Sequence, residues 1–132
     1  MTVIPILMPH QENSRPTKTK AGAEVWLIRH GQTEWSVTGQ HSGRRDLPLT
    51  STGEFEAQQV ARILNGRKFD LVLCSPLQRA ARTCGIAGYD SAASIEPDVQ
   101  EWDYGDCMGK TELQVREEFF GLDDLGWTSS TR

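Results

Sequence analysis

Cysteine is scarce and poorly placed for a structural role. Cys74, Cys84 and Cys107 are the only three, an odd number at long spacings that gives neither a disulfide framework nor the Cys-x-x-Cys of a zinc site. A reducing, cytoplasmic setting is the expectation. An excess of positive charge is missing too: 14 Lys and Arg against 18 Asp and Glu leave a formal charge of −4. No global basic field exists to hold nucleic acid or an anionic membrane surface, so any bound anion must be met by a local cluster. No apolar run approaches the length of a membrane span. The apolar stretch at residues 3–8 is too short for a signal-peptide core, is interrupted by Pro5 and follows no positive side chain.

What is present fits one folded unit. A length of 132 residues allows one domain at most, and 37% apolar with 24% charged residues is ordinary for a globular chain once glycine is added. Residues 1–23 hold three of the six prolines and no helix or strand period. They read as a flexible leader, with the domain occupying 24–132. Val25-Trp26-Leu27-Ile28 is a short continuous apolar run, the pattern of a strand buried on both faces, and it stops at Arg29-His30-Gly31. Residues 32–50 are polar and aperiodic, and loops of that length in a compact domain are usually functional.

Regular patterning then returns. Ser51-Thr52-Gly53-Glu54 has capping-box spacing, and Ala57, Val60, Ala61 and Leu64 follow on one helical face before Gly66. Phe69 to Cys74 reads as a second strand, with Ser75 as N-cap and Pro76 at the first position of the next helix. Leu77, Ala80, Ala81 and Cys84 give that helix its apolar face. A short strand is expected at 94–96, and a helix at 111–120 with Thr111 and Gln114 in capping-box positions. Strand, helix, strand, helix at this spacing predicts an α/β domain with a mostly parallel sheet covered by helices on both faces.

Three segments carry candidate chemistry. Arg29-His30-Gly31 follows a strand, where open α/β sheets place ligands. Gly31 permits close backbone approach, Arg29 offers a planar charged fork to phosphate oxygens, and a cationic neighbour favours a neutral, nucleophilic His30. Arg79 stands in the first turns of the second helix, near the end whose free N–H groups favour an anion. Arg82, on the same helix, reads as part of a solvated face. Glu101-Trp102-Asp103-Tyr104-Gly105-Asp106 surrounds aromatics with acids; a carboxyl beside Trp102 and Tyr104 can be desolvated enough to remain protonated and act as a proton donor, against the alternative of an exposed acidic loop.

These segments together resemble the histidine phosphatase superfamily, the phosphoglycerate mutase-like enzymes. The likeness runs through Leu27-Ile28-Arg29-His30-Gly31-Gln32-Thr33-Glu34-Trp35, Leu47-Pro48-Leu49-Thr50 with Gly53, Ser75-Pro76-Leu77-Gln78-Arg79-Ala80 and Glu101-Trp102-Asp103-Tyr104-Gly105. It spans residues 24 to about 110. Thr33-Glu34-Trp35-Ser36 followed by Gly39-Gln40-His41 is most similar to the sugar-phosphate phosphatase branch, including sedoheptulose-bisphosphatase-like proteins, since mutases usually carry asparagine where Ser36 stands.

The resemblance implies a three-layer, phosphoglycerate mutase-like α/β fold. It implies His30 as the phosphorylated nucleophile, Arg29 and Arg79 in the phosphate pocket, Glu101 as proton donor, and Gln40 and His41 facing the non-phosphate part of a small phosphorylated substrate. Two in-line phosphoryl transfers would proceed without metal or other cofactor. The family's second pocket histidine, on a later strand, has no counterpart among His10, His30 and His41. The expectation is therefore a domain incomplete at its C-terminus. A phosphatase acting on a sugar phosphate is the leading expectation. A remnant binding phosphate without turnover, and a mutase-type phosphotransferase, stay open beside it, as does homodimerisation.

Overall fold

The computed structural model describes residues 17–18 and 24–120. A short antiparallel ladder, β1 (Thr17–Lys18) with β2 (Glu24–Val25), leads into the fold. Two residues of the segment read as a leader thus take part in a ladder; residues 1–16 and 19–23, and the last twelve positions, lie outside the described residues. The run from Val25 to Ile28 is not buried on both faces. Val25 and Leu27 are 50% and 63% exposed, whereas Trp26 and Ile28 pack on the core. A burial period of two means that only one side of the run is covered.

The stretch 32–50 is not wholly irregular. α1 (Glu34–Thr38) forms within it, capped reciprocally by Thr33 and Ser36 and closed by Gly39 in the left-handed region at φ 75°. α2 (Ser51–Leu64) begins one position after Thr50, whose hydroxyl accepts from the Gly53 N–H. Left-handed Asn65, rather than Gly66, closes it.

β3 (Val72–Cys74) is shorter than the expected strand. Phe69 lies outside the ladder, its ring edge-on to Trp26 at 6.2 Å and tilted on Tyr89 at 5.6 Å. α3 (Gln78–Ile86) starts two residues beyond Pro76. Leu77 at its N-cap offers no side-chain acceptor, and Asp46 supplies one from the preceding loop, its Oδ1 accepting the Gln78 N–H at 2.8 Å. A 3₁₀ turn at Asp90–Ala92 returns the chain to β4 (Ala93–Ile95), which pairs in parallel with β3, Val72 opposite Ala93 and Cys74 opposite Ile95. This βαβ unit is the parallel arrangement expected from the alternation of elements. α4 (Glu112–Phe120) follows, with Thr111 and Gln114 exchanging the hydrogen bonds of the capping box.

Leu64, Val72, Cys74, Ala80, Cys84 and Tyr89 form the core, with α2 against α3 and β3 beneath them. No helix among the described residues is long and apolar enough to cross a membrane.

Candidate active site

The turn after Ile28 is fixed by a close backbone contact. A Cβ on Gly31 would lie 2.2 Å from the Gly53 carbonyl oxygen, and one on Gly53 would lie 2.2 Å from that of Gln32. Gly31 is therefore required by the approach of α2. Further bonds pin the turn: Thr50 N–H to Gln32 O at 2.9 Å, Gln32 N–H to Glu56 Oε2 at 2.7 Å, and Gly31 N–H to Thr83 Oγ1 at 3.0 Å.

His30 is held within this turn, its Nδ1 2.7 Å from the Gly31 carbonyl oxygen. A carbonyl can only accept, so Nδ1 carries the proton and Nε2 keeps its lone pair. The pKa is pushed down from 6.5 to about 4, first by burial and then by the charges of Arg79 and Arg29, against the Gly31 bond and Glu101, which raise it. The cationic effect expected from the sequence is present, but burial outweighs it. At neutral pH the imidazole is a free base facing two guanidinium groups.

Arg79 is 2% exposed, and its Nη1 and Nη2 donate to the carbonyls of Arg45 and Gly43, both at 2.7 Å. Burial lowers its pKa, opposed by the nearby carboxylates of Glu101 and Asp46. The residue is thus both a buried cation at the cleft and a brace for the 43–45 loop. Arg29 is exposed at the rim. Arg82, read as a solvated position, is exposed and ion-paired with Glu54 of α2 at 2.8 Å.

Glu101 lines the same cleft, and its Oε1 accepts the N–H of Trp102 at 3.0 Å. The aromatic shelter expected around it is not formed. Trp102 is 79% exposed, and Tyr104 stands edge-on to His41 at 4.9 Å.

Gln40 and His41 border the cleft but spend polar atoms on the backbone. Gln40 Nε2 donates to Gly109 O at 2.6 Å, and His41 Nδ1 donates to Lys110 O at 2.8 Å. With the antiparallel bridge of Gln40 to Thr111, these bonds latch the substrate-side loop to the segment ahead of α4. The cleft measures about 130 Å³ and brings together every candidate residue except Gly31, along with Ser36, Ser42 and Tyr104. Among the described residues no group of three or more His, Cys, Asp or Glu is arranged to hold a metal ion. His10 lies outside the described residues.

Thr83 and Asp46 escape a reading by sequence pattern. Thr83 and Asp46 act through bonds spanning 52 and 32 positions, which no local pattern records. Ser36 does leave a signal, as the fourth residue of a capping box in which serine replaces the usual Glu or Gln.

Comparison with known proteins agrees with this geometry. The chain is 38% identical over 104 residues to an acid phosphatase of Mycobacterium tuberculosis, covering 77% of this chain and 50% of that protein. It is 32% identical over 108 residues to a 2,3-bisphosphoglycerate-dependent phosphoglycerate mutase of Cytophaga hutchinsonii, covering 79% of this chain and 51% of the mutase. Its fold superposes on the crystal structure of a putative alpha-ribazole-5'-P phosphatase from Escherichia coli with a TM-score of 0.64 at 37% identity, over 73% of this chain and 50% of the other. The chain spans about half the length of the relatives it matches. The architecture is accordingly the phosphoglycerate mutase-like α/β fold. Residues 25–131 match the model of the histidine phosphatase superfamily (branch 1), and the chain belongs to that family.

Proposed function

We propose that this chain is a phosphatase that hydrolyses small phosphomonoesters, with sugar phosphates as the substrate class, through a phosphohistidine on His30. The observation that carries the reading is the state of His30: a base at neutral pH, its Nδ1 proton committed to the Gly31 carbonyl, beside Arg29, Arg79 and Glu101. Nε2 attacks phosphorus as the bond to the leaving alkoxide breaks, and Glu101 delivers the proton that the alkoxide takes up. Water then attacks the phosphohistidine, and the Glu101 carboxylate receives a proton from it. Arg29 and Arg79 stabilise the charge on the phosphoryl oxygens in both transfers. Gln40 and His41 border the space left for the sugar.

Trapping tests the reading. Incubation with a phosphomonoester should give an acid-labile phosphoenzyme in the wild-type chain and none in His30→Ala; equal signals in both would remove His30 as nucleophile. An absence of turnover on an aryl phosphate would leave phosphate binding without hydrolysis as the better account. Return of the phosphoryl group to substrate is a second reading, favoured by the identity to a phosphoglycerate mutase. Release of inorganic phosphate without formation of an isomer excludes it.

A further inference from the structure

Thr83 is a buried polar residue on α3 that the proposed chemistry does not use. Its hydroxyl, 2% exposed with the rest of the residue, makes two bonds at once: it donates to the Arg79 carbonyl at 2.7 Å and accepts from the Gly31 N–H at 3.0 Å. The first bond is the ordinary way a threonine inside a helix satisfies its proton, four residues back along its own chain. The second is not local; it reaches 52 positions to the turn that holds the imidazole. Because the hydroxyl proton is committed to Arg79 O, an oxygen lone pair is left facing Gly31. Gly31 is thereby anchored on both sides, its N–H on Thr83 and its carbonyl on His30 Nδ1.

We infer that Thr83 is a positioning residue for the His30 and Arg79 pair, a hydroxyl clamp that fixes the peptide joining His30 to Gly31 and, through it, the placement of the imidazole relative to the arginine's helix and to the Gly31 carbonyl that holds its Nδ1 proton. Three consequences follow from the geometry. The Gly31 carbonyl belongs to the next peptide, whose Gln32 N–H is held by Glu56 Oε2 at 2.7 Å, so His30 Nδ1 meets that carbonyl only while the His30–Gly31 peptide keeps its own orientation. The turn of α3 carrying Arg79 and the turn carrying His30 are kept in register by one oxygen atom. A side chain of the same shape without that oxygen fills the space but leaves the buried Gly31 N–H without its acceptor.

The inference rests on the phosphohistidine reading for its effect on rate, but its structural half can be measured without turnover. The first comparison is Thr83→Val against wild type and Thr83→Ser. In Thr83→Val, kcat should fall on the order of 10²-fold with KM changed by less than about twofold, the size expected when a reacting group is misplaced rather than lost. Thr83→Ser should recover most of the rate. The ¹⁵N signals of the His30 imidazole should show one tautomer, Nδ1–H, in wild type and Thr83→Ser, and a mixture in Thr83→Val.

Should Thr83→Val not fold, Thr83→Ala and Thr83→Ser ask the same question, since both lack the methyl group and only serine keeps the oxygen. Identical imidazole signals in variants with and without the hydroxyl would overturn the inference. So would a serine variant as impaired as alanine or valine. If wild type shows no turnover, the phosphatase reading fails by itself, and the imidazole signals still decide whether Thr83 sets the tautomer.

Discussion

His30 is held partly buried as a neutral base, and this couples its protonation to folding. The folded imidazole takes up a proton near pH 4, whereas an unfolded one does so near 6.5. Between those values the unfolded chain binds more protons, so stability falls as pH falls through that window and is unaffected by this residue above it. Replacing the titrating group should remove that part of the dependence. The urea midpoint of wild type should drop more steeply between pH 6.5 and 4 than that of His30→Gln; parallel declines would show that the imidazole is not held neutral by the fold. For catalysis, the acid limb of kcat/KM due to His30 should lie near pH 4 instead of 6.5. Arg79 differs from Arg82 in the same way that a buried group differs from a solvated one. Three positions apart on one helix, the first is fully enclosed and tied to two carbonyls, while the second forms an exposed ion pair of small energetic weight.

At the scale of elements, α3 organises the site although its own sequence does not cap it. Asp46 accepts the Gln78 N–H and Gln78 Nε2 returns a bond to Asp46 O at 3.0 Å, while Arg79 from the same turn holds Gly43 and Arg45. The loop and the helix start are therefore one unit. Asp46→Ala should lower stability by about 1 kcal/mol, the usual worth of an N-cap, and should raise KM more than it lowers kcat because the loop bordering the cleft is loosened. Urea unfolding and steady-state kinetics check both; an unchanged KM would mean that Arg79 alone holds the loop.

The legibility of elements in the sequence follows the same division. α2 and α4 declare themselves by local caps, α2 and α3 by an apolar face, and Arg29, His30, Arg79 and Glu101 by their places after apolar runs or in the acidic segment, so these can be located without coordinates. α1 is hidden because five residues carry no amphipathic period. Val25 to Ile28 misleads because apolar composition does not say whether packed helices cover both faces. The roles of Gly31, Asp46 and Thr83 depend on contacts across tens of residues, to which a linear pattern is blind.

On the scale of the whole molecule, charge and apolar surface act in opposite directions. The chain carries −4 overall, with Arg29 and Arg79 set together at the cleft, so copies repel one another at long range. At short range an apolar edge is open. In a parallel pair, residues in register point to the same side of the sheet, and Ile95 is paired with Cys74. Cys74 is 2% exposed and Ile95 57%, so the core that covers β3 reaches Ala93 of β4 but does not extend to Ile95. An exposed apolar side chain on a strand whose outer edge has no partner among the described residues gives a surface on which association between copies can be tested. Salt screens the repulsion but leaves the apolar contact intact, so association should strengthen as ionic strength rises. Sedimentation velocity should show the average mass of wild type increasing with concentration, more so at about 0.5 M than at about 0.05 M salt, where the screening length is several times longer. Ile95→Thr keeps the β-branch and the net charge while weakening the apolar contact, and it should reduce that increase. Equal association by Ile95→Thr and wild type would place the contact elsewhere, and association that weakens with salt would make it electrostatic.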